Sequence, residues 1–345
     1  MIEIKNIRIE DQDNKSKLCA DIKYNGNITT LWYEVEKEYK NFLCVERADA
    51  FLVALLLFAM EKGESISIFD TPITSKLYFN IIHYIIPIFS QMNKYKKIII
   101  NASLDDKKLD NENANGTGIS LGVDSFTTLK EYTEKCPENL KINWLTFFNV
   151  GSHKENGGEE GRKLFLKRKE ISRRFAEENN FKFIDVDSNI SEFLQQIFIQ
   201  THTFRSVSAV LAIQKLFRNY YYSSGFSIYD FKVNIMQPAQ FDIYILNFLS
   251  NDNVSFYSTG CVYINRLNKV DYIKDYKLAQ ENLSVCFMDE VNCGKCEKCV
   301  RTLFELYAVG ALDNFKKVFN VKKFYENREW YDYVFMRNYF KGKSD

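Results

Sequence analysis

The sequence lacks an excess of charge of either sign. Its 345 residues include 46 lysines and arginines and 45 aspartates and glutamates, which leaves a formal net charge of +1. A field this balanced gives no reason to expect binding to nucleic acid or to an acidic membrane surface. We therefore expect no nucleic-acid partner, and the function has to be sought in a local site.

Long apolar runs are also missing. The longest, FLVALLLFAM at 51–60, has about half the length that a membrane-spanning helix needs. Both this run and IIHYIIPIF at 81–89 are typical of buried helices. The first residues, MIEIKNIRIEDQD, alternate apolar and polar side chains, which is typical of a strand and not of a signal peptide. We expect a cytoplasmic protein with no membrane segment.

Nothing in the sequence indicates an oxidising compartment. Four of the eight cysteines are scattered among apolar neighbours, as reduced core thiols are. The other four lie close together near the C-terminus in the pattern C-x6-C-x2-C-x2-C, and they are Cys286, Cys293, Cys296 and Cys299.

This cysteine cluster predicts a bound metal. Two successive x2 spacings allow backbone turns to direct three thiolates at one point, and four sulfur ligands form the closed tetrahedral site that is typical of structural zinc. An iron–sulfur cluster is the main alternative, because C-x2-C-x2-C also begins bacterial ferredoxin motifs. No proline follows Cys299, however, and no second cluster motif is present. We therefore expect zinc.

The first part of the chain predicts a separate α+β domain over residues 1–104. Its first forty residues alternate as strands do, with an Asn-Gly hairpin turn at 25–26. Helical patterns follow at 46–62 and 76–92, and an apolar strand at 96–104.

The rest of the chain predicts a linker and a second domain. Residues 105–118 are polar and rich in asparagine without apolar periodicity, which indicates a linker. Over 119–345 strands and helices alternate, and this predicts right-handed βαβ units in a parallel sheet with helices on both faces. The predicted elements are a strand at 142–150, a helix at 162–179, a strand at 181–187 and a helix at 206–222.

The segment SLGVDS at 120–125 joins a strand end to a helix start. Such a unit directs backbone N–H groups and the positive end of the helix dipole at one point. Ser120 and Ser125 can add hydroxyl donors, and Asp124 can orient the loop or hold a magnesium ion against a phosphate. The pattern favours polyphosphate binding, although Asp124 or Ser125 would also serve as an ordinary helix N-cap.

SLGVDS resembles the SGGxDS signature of the PP-loop ATP pyrophosphatases, whose loop binds the pyrophosphate of ATP. Within that superfamily the cysteine pattern, followed by Arg301 and Thr302, resembles 7-cyano-7-deazaguanine synthase (QueC) of the queuosine pathway. The resemblance covers residues 113–310. Three features depart from the family: Leu121 replaces the second glycine, residues 1–104 have no counterpart, and 236–249 matches the substrate region only loosely.

The resemblance implies an α/β PP-loop (HUP-like) domain that activates a carboxylate with ATP and magnesium. An acyl-adenylate would form, and ammonia or another amine would then displace AMP. The catalytic residues implied are Asp124, Arg205 and Lys269, which would position and neutralise the phosphates. The residues implied in cofactor binding are Ser120, Gly122, Val123, Asp124, Ser125, Phe148 and Asn149, of which the last two would contact the adenine.

The resemblance also implies a small-molecule carboxylate as substrate, namely 7-carboxy-7-deazaguanine or a related acid. Similar extended proteins occur in anti-phage defence and surface-polysaccharide cassettes, so the activated group could instead be attached to a protein that the N-terminal domain recognises. A nucleotide-sensing protein without turnover and a zinc-knuckle RNA-binding protein are the alternative classes. The sequence leaves open whether the protein is a homodimer.

Overall fold

The computed structural model describes residues 1–289 and 291–340. These residues divide into two compact units, each built from several chain segments. The first unit contains residues 1–118, 142–222 and 230–258, and the second contains 119–141, 223–229 and the chain from 259 onward.

The first unit is built on a sheet of ten strands. The strands of the chain are β1 Ile2–Gln12, β2 Lys15–Tyr24, β3 Asn27–Glu36, β4 Ile66–Ile68, β5 Ile73–Thr74, β6 Ile100–Asn101, β7 Leu104–Asp105, β8 Ala114–Gly118, β9 Trp144–Asn149, β10 Lys182–Ser188, β11 Phe217–Ser223 and β12 Ser255–Thr259. The order in the large sheet is β12-β11-β8-β9-β10-β3-β2-β1-β4-β6, and β5 and β7 form a separate short pair.

Thirteen helices are present in the described part of the chain. They are α1 Asp49–Lys62, α2 Ser75–Asn80, α3 Ile86–Phe89, α4 Val123–Glu134, α5 Gly158–Glu178, α6 Ile190–Leu194, α7 Phe198–Ala212, α8 Asp242–Leu249, α9 Arg266–Ile273, α10 Lys277–Asn282, α11 Glu297–Ala308, α12 Val321–Glu326 and α13 Arg328–Phe340. Helices α4 and α9–α13 belong to the second unit. A π-helical turn, Ile81–Ile85, joins α2 to α3.

The fold is α/β with a large, mostly parallel central sheet, as the alternation of strands and helices predicts. Strands β11, β8, β9 and β10 pair in parallel. Strands β1, β2 and β3 form an antiparallel meander, and β4 and β6 add two parallel pairings beyond β1. The predicted hairpin turn is confirmed, since Asn25 and Gly26 both have positive φ, 50° and 80°.

The structure does not divide the chain at the predicted linker. Strand β3 pairs with β10 through Tyr33 opposite Ser188 and Glu34 opposite Asp187, so the N-terminal strands continue the same sheet. Residues 1–104 therefore lie in one unit with most of the chain that follows them up to residue 258. Hydrogen bonds between β3 and β10 thus join the two predicted parts in one sheet.

The predicted linker at 105–118 is wrong in its last five residues. They form β8, which lies between β11 and β9 and is buried over most of its length. Gly116 makes this packing feasible, because a Cβ atom there would lie 2.3 Å from the ring of Phe217. The sequence ANGTG carries no apolar alternation, and its burial depends entirely on its neighbours.

The helix predicted over 206–222 is also wrong in its second half. Helix α7 ends at Ala212, and β11 begins at Phe217. In this strand the Tyr220 hydroxyl lies 2.6 Å from the Thr146 hydroxyl of β9. Aromatic and branched side chains fit the pleated surface of a sheet, and here this preference outweighs the helical pattern.

The apolar run at 51–60 lies in α1 and is buried on every face. Helix α1 packs against α7 within the first unit. Among the described residues, no helix is both long enough and apolar enough to cross a membrane.

Candidate functional site

The strand order of the sheet reverses at β8. From β8 the chain continues to β9 and β10 on one side and to β11 and β12 on the other. In open α/β sheets, ligands bind outside the carboxyl ends of the strands at such a switch point. The segments that follow β8 and β11 in the chain begin at Ile119 and Ser224, and both belong to the second unit.

The loop after β8 contains a leucine, Leu121, in a backbone conformation that favours glycine. Leu121 has a φ of 57°, in the left-handed region, and Gly122 precedes the first residue of α4. The left-handed conformation costs a non-glycine residue about 1–2 kcal/mol. The Leu121 side chain is only 4% exposed, and its carbonyl accepts a hydrogen bond of 2.8 Å from the N–H of Ser284. Burial of the side chain offsets the cost of the conformation.

The two serines of the loop have different surroundings. Ser125 is buried, and its hydroxyl donates to the carbonyl of Gly122 at 3.0 Å, so it stabilises the start of α4. Ser120 is exposed. Val123 is buried and can offer a ligand only its backbone. The first N–H groups of α4 have no partner within the helix and carry the positive end of its dipole, which makes this end suitable for an anion.

The structure brings the predicted catalytic residues Asp124 and Lys269 together. The Lys269 ammonium lies 2.7 Å from Asp124 Oδ1 and donates to the Ser224 carbonyl at 2.7 Å. Lys269 is 2% exposed, whereas the Asp124 side chain is 34% exposed. These contacts follow from the packing of α4 against α9. A buried ammonium thus lies beside the start of α4.

Two charged residues that the sequence did not indicate complete this cluster. Arg266 at the start of α9 pairs with Glu305 of α11, with Nε 3.1 Å from Oε1. Arg266 Nη1 also lies 4.0 Å from Asp124 Oδ2, and Arg301 Nε lies 3.9 Å from Glu305. Burial raises the pKa of the Glu305 carboxyl above its usual value, although both arginines act to lower it. Three cations and two carboxylates leave one excess positive charge beside the loop.

Phe148 and Asn149 end β9, as predicted, and lie in the first unit. Phe148 is half-buried and stacks on Tyr220, with ring centroids 6.2 Å apart. Asn149 Nδ2 donates to Asp187 Oδ1 at 2.7 Å. Burial raises the pKa of Asp187, and the hydrogen bond from Asn149 lowers it. The amide of Asn149 is therefore already engaged by a neighbouring strand.

Arg205 has a structural environment. It lies within α7 in the first unit, is 0% exposed, and donates to the carbonyls of Gln196 and Val150 at 2.7 and 3.3 Å. Burial lowers the pKa of Arg205 to about 10, against the effect of Glu155. In this conformation its guanidinium holds two loops of the first unit and exposes no atom to solvent.

The four clustered cysteines meet the geometry of a metal centre. Their sulfur atoms all lie within 4.8 Å of one another, and Cys286 and Cys296 Sγ are 3.9 Å apart. A tetrahedral site with Zn–S bonds of about 2.3 Å needs sulfurs about 3.8 Å apart. Gly294 has a φ of 67° and allows the tight turn after Cys293. Cys299 lies in the first turn of α11.

Backbone donors also favour thiolates in this cluster. The N–H groups of Lys295 and Cys296 lie 3.4 and 3.3 Å from Cys293 Sγ, and that of Asp289 lies 3.2 Å from Cys286 Sγ. Burial raises the pKa of Cys293, but the two N–H groups and the neighbouring thiols of Cys286 and Cys296 together lower it to about 7. The four cysteines could bind a metal such as zinc.

The structure therefore assembles part of the predicted site. The loop at 120–125, Lys269 and the cysteines belong to the second unit, whereas Phe148, Asn149 and Arg205 belong to the first. Comparisons with protein-family models, with curated proteins and with solved structures find no match for this chain.

Proposed function

We propose that this protein is an ATP-dependent, AMP- and pyrophosphate-forming enzyme that adenylates a carboxylate and transfers the acyl group to ammonia or another amine. The observation that carries the proposal is the ion pair of Asp124 and Lys269 at the start of α4. This helix follows β8, the strand at which the sheet order reverses. The resemblance of the loop to the PP-loop signature supports the same reading.

The charged groups of the second unit would hold the phosphates of ATP. An ammonium has three donors. Lys269 uses two of them on Asp124 and Ser224, and the third is the donor that we assign to a phosphate oxygen. The start of α4 and the exposed Ser120 add N–H and hydroxyl donors. With magnesium bound, the partly exposed carboxylate of Asp124 would be its protein ligand.

The reaction needs positioning and charge neutralisation more than acid–base catalysis. A carboxylate oxygen of the substrate attacks the α-phosphorus, and the bond from that phosphorus to the β-phosphate oxygen breaks, which releases pyrophosphate. The amine then attacks the acyl carbon and loses a proton, and AMP leaves with the former carboxylate oxygen. Preorganised cations beside the leaving pyrophosphate lower the barrier of the first step.

We propose zinc as the metal of the four cysteines, in a structural role. Four sulfur ligands leave no open position for water, so no step of the reaction is assigned to the metal. Its contribution would be to fix the segment from Cys286 to Cys299 and the start of α11. Metal binding of this kind contributes directly to folding.

Acid-dependent exchange of labelled pyrophosphate into ATP tests the proposed function. We expect exchange with 7-carboxy-7-deazaguanine or another acid of a carboxylate panel, with ammonia omitted. Lys269→Met should lower the exchange rate by about 10- to 100-fold, because it removes charge-assisted hydrogen bonds. The matched control is Lys274→Met, which alters a lysine just after the same helix that pairs with Asp271.

The outcomes separate the alternatives. If the protein binds ATP with magnesium but exchanges no pyrophosphate with any acid, a nucleotide-sensing protein replaces the proposed enzyme. If it binds no ATP, the assignment of the loop at 120–125 fails. Exchange at the full rate in Lys269→Met would show that the site lies elsewhere.

A further inference from the structure

The guanidinium of Arg266 is held along one edge by helix α11. Its Nε lies 3.1 Å from Glu305 Oε1, and its Nη2 donates to the Thr302 hydroxyl at 3.2 Å. A guanidinium has five N–H donors in a rigid plane. With the Nε and Nη2 edge held by α11, Nη1 is directed toward Asp124.

The gap between Arg266 and Asp124 is wider than a hydrogen bond. Nη1 lies 4.0 Å from Asp124 Oδ2, beyond the range in which N–H and oxygen bond directly. The Arg266 side chain is 20% exposed and that of Asp124 is 34% exposed. An anionic oxygen near the start of α4 can therefore accept from Nη1. Planar guanidinium groups are well suited to phosphate oxygens.

Glu305 makes this arrangement electrostatically stable. Its side chain is 12% exposed and lies between Arg266 and Arg301, at 3.1 and 3.9 Å. Without this carboxylate the two guanidinium groups would repel each other in a poorly solvated setting. Thr302, one turn earlier in α11, is fully buried and adds a neutral anchor. The two residues thus determine where the Arg266 guanidinium points.

We infer that Arg266 binds the phosphates of ATP and that Glu305, together with Thr302, is a positioning residue that orients the Arg266 guanidinium toward them. This inference rests on the proposed function and adds α11 to the nucleotide site. The same role explains why the carboxylate of Glu305 lies beside a site for anions, because Glu305 holds the Arg266 guanidinium and does not contact the ligand.

A double-mutant cycle tests the inference, with inorganic pyrophosphate and ATP–magnesium as the probes in titration calorimetry. Arg266→Met should weaken pyrophosphate binding by about 10- to 100-fold, the value of a charge-assisted hydrogen bond. Glu305→Gln should weaken it several-fold. The double variant should bind no more weakly than Arg266→Met alone, because Glu305 acts only through Arg266. Glu281→Gln, which alters a carboxylate paired with Lys317, should leave binding unchanged.

Each outcome decides between the two claims. Losses that add in the double variant would show that Glu305 acts independently of Arg266 and would overturn the positioning role. Unchanged binding in Arg266→Met, with a wild-type protein that binds both probes, would overturn the phosphate contact while leaving the proposed function intact. A wild-type protein that binds neither probe would refute the proposed function and the inference with it. Circular dichroism of each variant checks that the fold is retained.

Discussion

Leu121 allows a sharp test of the loop conformation. We predict that Leu121→Gly is more stable than Leu121→Ala, the reverse of the usual order inside a helix. Leu121 has a φ of 57° and a side chain that is 4% exposed. Both substitutions remove this buried side chain, so both should destabilise the protein by about 2–5 kcal/mol. The difference between their free energies of unfolding therefore depends on the backbone conformation at position 121.

The size of that difference follows from two opposing terms. Alanine keeps the left-handed penalty of about 1–2 kcal/mol, which glycine does not have. Glycine has more conformational freedom in the unfolded chain, which costs about 0.5–1 kcal/mol. Glycine at this position should therefore give a free energy of unfolding about 0.5–1 kcal/mol above that of alanine.

Leu129 supplies the matched control, because it is also buried but lies inside α4. There glycine should be about 1 kcal/mol less stable than alanine. Urea unfolding of the four variants, followed by circular dichroism, measures both differences. If Leu121→Gly is less stable than Leu121→Ala, as at Leu129, then Leu121 does not have the left-handed conformation and the account of the loop is refuted.

Three further predictions concern other parts of the molecule. Burial raises the pKa of Asp242 to about 7 against the hydrogen bond from Thr203. Between these two pKa values the folded state keeps a proton on Asp242 that the unfolded chain, with a pKa of 3.8, has lost. The free energy of unfolding should therefore fall from about pH 4 to about pH 7, by about 1.4 kcal/mol per pH unit. Asp242→Asn should remove this fall in urea titrations, and an unchanged pH dependence would contradict the buried carboxyl. Cys296→Ser should lower the metal content measured by mass spectrometry and destabilise the protein, whereas Cys136→Ser should not; full metal content in Cys296→Ser would disprove the ligand set. Asp124→Asn should keep the fold but abolish acid-dependent pyrophosphate exchange, and full exchange would remove Asp124 from the site.

Local patterns in the sequence predict a good part of the fold. The N-terminal strands mostly alternate apolar and polar residues, and the turn at Asn25-Gly26 between β2 and β3 is a short-range hairpin signal. The four cysteines lie close together along the chain, and their sulfurs lie within 4.8 Å of one another. In both cases the information lies within a few residues along the chain, so a single sequence reveals it.

Other features depend on partners far along the chain. Nothing in ANGTG at 114–118 indicates a strand, because its burial comes from β9 and β11 on either side. The pairing of β3 with β10 likewise joins segments that are about 150 residues apart, and no local pattern specifies which edges meet. The predicted domain boundary failed to appear for this reason.

The site shows the same contrast. The sequence resemblance pointed to Asp124, in the motif at 120–125, and to Lys269. The structure places these two residues in one ion pair. Arg266 and Glu305 carry no motif, and only the packing of α9 against α11 reveals them. Arg205 is a cation in sequence, but its complete burial is a tertiary property that the sequence does not show.

Transfer of oxygen from the acid to AMP tests whether an acyl-adenylate forms. The acid that supports pyrophosphate exchange is labelled with heavy oxygen in its carboxylate and incubated with ATP, magnesium and ammonia, and the nucleotide products are analysed by mass spectrometry. We expect AMP that carries one heavy oxygen, because the amine displaces AMP together with a carboxylate oxygen. Unlabelled AMP, or ADP as the product, would show that no acyl-adenylate forms and would contradict the proposed reaction.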